Sequence, residues 1–216
     1  MLLQQMQGLL AGIYDVPLSY NVYDFLFTDR THLPQAVRAS NTDEQVLVVS
    51  DEAGAAVGLF LDEGLLQRLT AANPLHALTA TNVADYWTAL EGVSHFLYLA
   101  WNAGHDRAVS LLELELQAEI DKYVASWWLL REQDPRRFPA ELHRLLFERT
   151  RIDAQLAGDS AELYREAHQY AARFCRRLER QLSAAALRVR REAVVELRRF
   201  YRLSRERKLS HIRRHS

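Results

Sequence analysis

Cysteine is nearly absent from the chain. Cys175 is the only one, which excludes an intrachain disulfide and a cysteine-built zinc site and fits a reducing compartment. Lysine is almost as scarce: Lys122 and Lys208 are the only two among 27 basic residues, and the other 25 are arginines, whose planar fork suits carboxylate and phosphate pairing. Eight glycines and five prolines in 216 residues are few for an all-β fold, which needs them at its turns. No apolar run approaches the ~18 residues of a membrane span. No Lys or Arg precedes Arg30, so the basic start of a secretion signal is missing and a cytoplasmic location is expected. A glycine-rich phosphate loop, a Gly-x-Ser-x-Gly elbow and a His-Glu-x-x-His helix are all lacking.

What is present is an apolar supply large enough for a core, with 49% hydrophobic and 25% charged residues. The length allows one domain of ordinary size, or one with a small appendage. Residues 1–44 are mixed; alternation from Tyr23 to Phe27 suggests a short strand. Gln45–Ser50 and Ala55–Leu61 flank the turn sequence Asp51-Glu-Ala-Gly54, which predicts a hairpin covered on both faces. After Leu61 the helical period takes over. Helices are predicted over Glu63–Ala72, Asn82–Ala103, Val109–Glu132, Ala140–Ala154, from Asp159 or Ser160 to beyond Leu182, and Ala184–His211. The expected architecture is mainly α, a bundle-like helical domain over 73–216, with a β-containing segment over 1–72 packed on it.

The net charge of −1 conceals a division. From Arg173 onward there are fifteen basic residues and four acidic ones, a surplus of eleven, which leaves residues 1–172 with a deficit of twelve. Such asymmetry points to an electrostatic partner. The candidate contact residues are Arg198, Arg199, Arg202, Arg205, Arg207, Lys208, Arg213 and Arg214, with Phe200 or Tyr201 available to stack on a base. Beyond Leu203 the apolar spacing fails, and those residues are expected to be mobile. Trp127 and Trp128 diverge by about 100° on a helix, so a narrow stripe cannot cover both, and one is offered to a partner.

A second constellation lies on the two central helices. Glu91 and His95 share a stripe on one, and Glu115 and Glu119 lie one turn apart on the other. If these helices pack antiparallel, the four side chains meet, and carboxylate-plus-His sets between helices bind metals. The Glu-x-x-His motif of ferritin-like sites is absent. Glu119 therefore also reads as an ion-paired carboxylate, with Glu119→Gln expected to cost more than Glu113→Gln on the opposite edge. Five residues separate Arg137 from His143, as in some helical ribonucleases, but Pro139 interrupts them and chance pairs at this spacing are expected. The favoured function is a non-catalytic interaction or adaptor protein, needing no cofactor, whose partner is an acidic protein or a second copy. A nucleic-acid binder and a metal-dependent enzyme are the alternatives.

Overall fold

The computed structural model describes residues 1–17, 19–39, 41–51, 54–136, 139–148, 159–183 and 187–214. Helix α1 (Leu2–Tyr14) opens the chain, burying Leu3, Met6, Leu10, Ile13 and Tyr14 along one stripe. It ends at Asp15 in the left-handed conformation (φ 55°), which an Asp side chain tolerates. The amide of Gln7, buried on α1, donates to the Tyr20 carbonyl and accepts from the Val22 amide, tying the next segment to the helix. Strand β1 (Leu26–Phe27) then runs parallel to β3 (Gly54–Leu61), which pairs antiparallel with β2 (Glu44–Asp51) in the order β1-β3-β2. The one-turn helix α2 (Gln35–Arg38) lies between β1 and β2.

The expected hairpin is present, with Glu44 opposite Leu61 and Val48 opposite Val57. Its base is covered, since Leu59, Phe60 and Leu61 are fully buried. Val48 and Val49 nearer the turn are 51% and 63% exposed, so the expected cover on both faces stops halfway. Helix α3 (Glu63–Ala71) begins where Asp62 accepts from the amides of Gly64 and Leu65.

Helices α4 (Val83–Ala103) and α5 (Leu111–Gln133) form the centre. They run antiparallel, as their cross-links show: Trp87 to Ser126, Ser94 to Asp121 and Tyr98 to Glu113. The sheet rests on α4 at Gly92, where an added Cβ would stand 2.7 Å from Leu59 Cδ1 and 3.0 Å from Glu44 Cγ. This glycine is what lets β2 come close enough for Glu44 to reach the next turn of α4. Helix α6 (Leu142–Phe147) is the described part of the expected Ala140–Ala154 helix, and Arg137 lies outside the described residues. His143 is buried with Nε2 2.9 Å from the Ala172 carbonyl, so it serves packing.

Helix α7 (Asp159–Ser183) packs along α5 and carries α8 (Leu187–Tyr201) back across it, with Phe174 stacked on Phe200 at 4.2 Å. The single final helix expected from the sequence is two. The chain turns at Arg202–Ser204 and continues as α9 (Arg205–Arg214). The Arg107 guanidinium takes the Arg202 and Leu203 carbonyls that the break frees. The segment expected to be mobile is packed instead, with Lys208, Leu209 and Ile212 buried. One apolar core runs from Leu3 to Ile212 and joins the β-containing segment to the helices. Among the described residues no helix is long and apolar enough to cross a membrane.

Candidate functional sites: a carboxylate seam and a basic groove

The antiparallel pairing of α4 and α5 brings three of the four carboxylate and histidine candidates together. One ligand-capable atom from each of Glu91, His95 and Glu115 lies within 4.8 Å of the others. Glu44 joins them from β2. The His95 ring stands between two carboxylates, Nδ1 3.6 Å from Glu44 and Nε2 3.7 Å from Glu115. Both distances are ion-pair contacts, too long for hydrogen bonds. Burial works against the charged imidazole, but the carboxylates of Glu115 and Glu44 outweigh it and hold its pKa well above the usual histidine value. Tyr164 from α7 sets its hydroxyl beside Glu115.

Glu119, the fourth candidate, faces the other way along the seam. It accepts from Lys122 Nζ at 2.9 Å and lies 2.8 Å from His168 Nδ1 on α7. His168 Nε2 is 3.2 Å from the Phe147 carbonyl, so both ring nitrogens face acceptors and the imidazolium satisfies both. Lys122 bridges the two halves of the seam by pairing with Glu91 at 2.5 Å. Burial raises the Glu119 carboxyl, and Lys122 and His168 more than reverse it, bringing it to about 2.

A carboxyl depressed below its unfolded value stabilises the fold above the unfolded pKa, and that contribution is lost as pH falls from about 4.5 toward 2. Glu119→Gln is expected to cost about 2–3 kcal/mol at pH 7 and to flatten the acid limb of a urea-unfolding series over that window. Wild-type stability with an unchanged acid limb would show that the pair contributes nothing. Glu113, on the opposite edge of α5, is 3% exposed and accepts from Tyr98 Oη at 2.6 Å. Helix α5 is covered on several sides, so Glu113→Gln also disturbs a buried bond.

A separate polar network sits deeper, between α1, α4, α5 and α9. Asp121 accepts from Tyr14 Oη, from Ser94 Oγ at 2.6 Å and from Gln117 Nε2 at 2.7 Å. Burial outweighs these bonds and lifts its carboxyl to about 6. Lys208 donates to Gln117 Oε1 at 2.6 Å and lies 4.4 Å from the Tyr98 ring centroid. Burial pulls its pKa down to about 7. Values so displaced are common at catalytic sites, but Asp121 and Lys208 are 1% and 0% exposed. Their hydrogen-bond partners are other side chains of the interior.

The basic C-terminal segment divides into used and unused cations. Arg198 takes the Gly12 and Ile13 carbonyls, and Arg202 takes those of Tyr14 and Asp15, so together they close the end of α1. Arg213 donates to Tyr170 Oη at 2.6 Å. Lys208 is fully buried, and so are Phe200 and Tyr201, the rings expected to stack on bases; the apolar stripe of α8 needed them in the core. Arg199, Arg205, Arg207 and Arg214 remain at the surface.

Between α7 and α8 lies an open groove of about 750 Å³. Arg177, Arg188, Arg191, Arg199 and His211 line it with Glu192, Glu196 and Val195. Arg177 and His211 are both paired with Glu196, and Arg188 with Glu192. Arg191 and Arg199 are exposed and have no partner among the described residues. Val195 is 67% exposed. Trp127 is 9% exposed with its ring edge-on to Trp128, which is half-buried against the same core.

Glu44 and Tyr164 were not legible as site residues, whereas Arg191 falls in the basic run Arg188–Arg191 of the sequence. Glu44 comes to α4 through sheet packing, which leaves no periodic signal. Val195 was legible in principle, as an apolar residue off the stripe of Leu197 and Tyr201. No family model matches the chain, and comparison with curated proteins and with solved structures finds no similar protein.

Proposed function

We propose that the protein is a non-catalytic interaction protein that holds an acidic, amphipathic segment of a partner protein in the groove between α7 and α8. The observation that carries this reading is the pair of unpartnered arginines, Arg191 and Arg199, lining the groove with exposed Val195. Two free guanidinium forks beside an apolar contact match carboxylates flanking an apolar side chain. A nucleic-acid backbone fits less well. Glu192 and Glu196 would face its phosphates, and the two rings of α8 that could stack on bases are buried. A cytoplasmic location goes with this reading, supported by the single, buried thiol of Cys175.

Co-purification of the full chain at low salt, with cross-linking and nuclease treatment, tests the proposal. A protein species is expected to survive the nuclease, to cross-link to α7 or α8, and to be lost with the double variant Arg191→Glu/Arg199→Glu while the melting temperature stays put. Release of the bound material by nuclease, or its retention by the double variant, would reject the reading.

A further inference from the structure

The seam between α4, α5 and the sheet has a defect as a purely ionic cluster. His95 is 4% exposed, and its Nε2 has no hydrogen-bond partner among the described residues; neither has Glu44 Oε1. A buried polar atom without a partner calls for an explanation, and a bound ion between two such side chains is one. The spacing says what kind. The 3.7 Å between His95 Nε2 and Glu115 Oε2 is too long for a hydrogen bond. It is close to the separation of two donors sharing a tetrahedral ion, about 3.4 Å for bonds of about 2.1 Å.

We propose that Glu91, His95 and Glu115 bind one divalent first-row transition ion, with Glu44 orienting the histidine from behind. One nitrogen and two carboxylate donors form a mixed set that suits zinc, manganese or ferrous iron better than calcium or copper(I). Each ligand also has an outer partner of the kind that positions metal ligands. Glu44 stands at the far nitrogen of His95, Tyr164 beside Glu115, and Lys122 on Glu91. Charge closes the account. With His95 neutral, as a ligand must be, the carboxylates of Glu44, Glu91, Glu115 and Glu119 face two cations, Lys122 and His168. A dication supplies what is missing. The Glu91 side chain, 26% exposed against 7% for Glu115, gives the ion its way in from solvent.

The test is titration of the chelator-stripped full chain with Zn2+ and with Mn2+, followed by calorimetry and thermal unfolding, and with Co2+, followed by its visible absorption. One equivalent is expected to bind with at least one of these ions, to raise the melting temperature, and to give cobalt bands of a nitrogen- and oxygen-ligated site. His95→Gln is expected to abolish the stoichiometric site, and Glu44→Gln to weaken it about tenfold or more. Glu119→Gln, which alters a carboxylate outside the ligand set, keeps the one-to-one stoichiometry. Should His95→Gln fail to fold, Glu91→Gln at the solvent edge decides, since it removes a ligand at a partly exposed position. No binding of any of the three ions by the stripped wild type, or binding that His95→Gln or Glu91→Gln leaves unchanged, overturns the site. Either result leaves the α7–α8 groove reading untouched.

Discussion

Truncation after Leu203 is expected to unfold the protein or bring it to the edge of unfolding. The deletion removes Leu209 and Ile212, which are 8% and 3% exposed. Burial of two such side chains contributes about 3–6 kcal/mol. It also removes Lys208 from above the Tyr98, Phe200 and Tyr201 rings and leaves Gln117 Oε1 buried without its donor. A domain of this size has about 5–15 kcal/mol in all. Urea unfolding followed by tryptophan fluorescence is expected to show a midpoint reduced by more than half, or no folded baseline. A truncated chain that keeps the wild-type midpoint would return the terminal arginines to the role of a detachable tail.

The second large effect is on pH dependence, through Lys208. A lysine whose folded pKa lies near 7 instead of its ordinary 10.5 holds fewer protons when folded than when unfolded across that interval. Stability therefore rises with pH between about 7 and 10, by up to about 1.4 kcal/mol per pH unit. Asp121, lifted to about 6, acts oppositely between about 4 and 6, where the folded state holds the extra proton and stability falls as pH rises. The two slopes place the network's weakest point between about pH 6 and 7. The groups facing Lys208 are the Tyr98, Phe200 and Tyr201 rings and Gln117, with Glu113, Asp121 and Arg107 acting at longer range. Urea midpoints from pH 6 to 10 for wild type and Lys208→Met measure the difference. The wild type is expected to gain on the variant as pH rises. Parallel curves would mean that Lys208 keeps an ordinary pKa.

Helices α4 and α5 and the β2–β3 hairpin were legible because each repeats its apolar period for several turns or residues. Helix α1 was not. It contains no charged residue, so its polar face is drawn in glutamine and glycine and its stripe of Leu3, Met6, Leu10 and Ile13 does not stand out. The break after Tyr201 was hidden for another reason: it is stabilised by Arg107, 95 residues away from the carbonyl of Arg202. The meeting of Glu91, His95 and Glu115 followed from helical spacing and an antiparallel pairing. Two neighbours needed tertiary structure to place them. Gly92 admits Glu44 through the lack of a side chain, and α7 brings His168 to draw Glu119 toward itself.

The carbonyls of Gly12, Ile13 and Tyr14 at the end of α1, and that of Asp15 just past it, are held by Arg198 and Arg202, between 185 and 188 residues further along, and Tyr14 stacks on Tyr201 at 4.2 Å. Helix α1 is thus completed only by residues synthesised long after it. While synthesis proceeds, its apolar stripe and its open end wait for α8 to emerge. Contacts of such long range slow folding and prolong the exposure of sticky surface. Nascent chains stopped short of Arg198 are expected to be chaperone clients, and the native fold closes only once Arg202 has emerged.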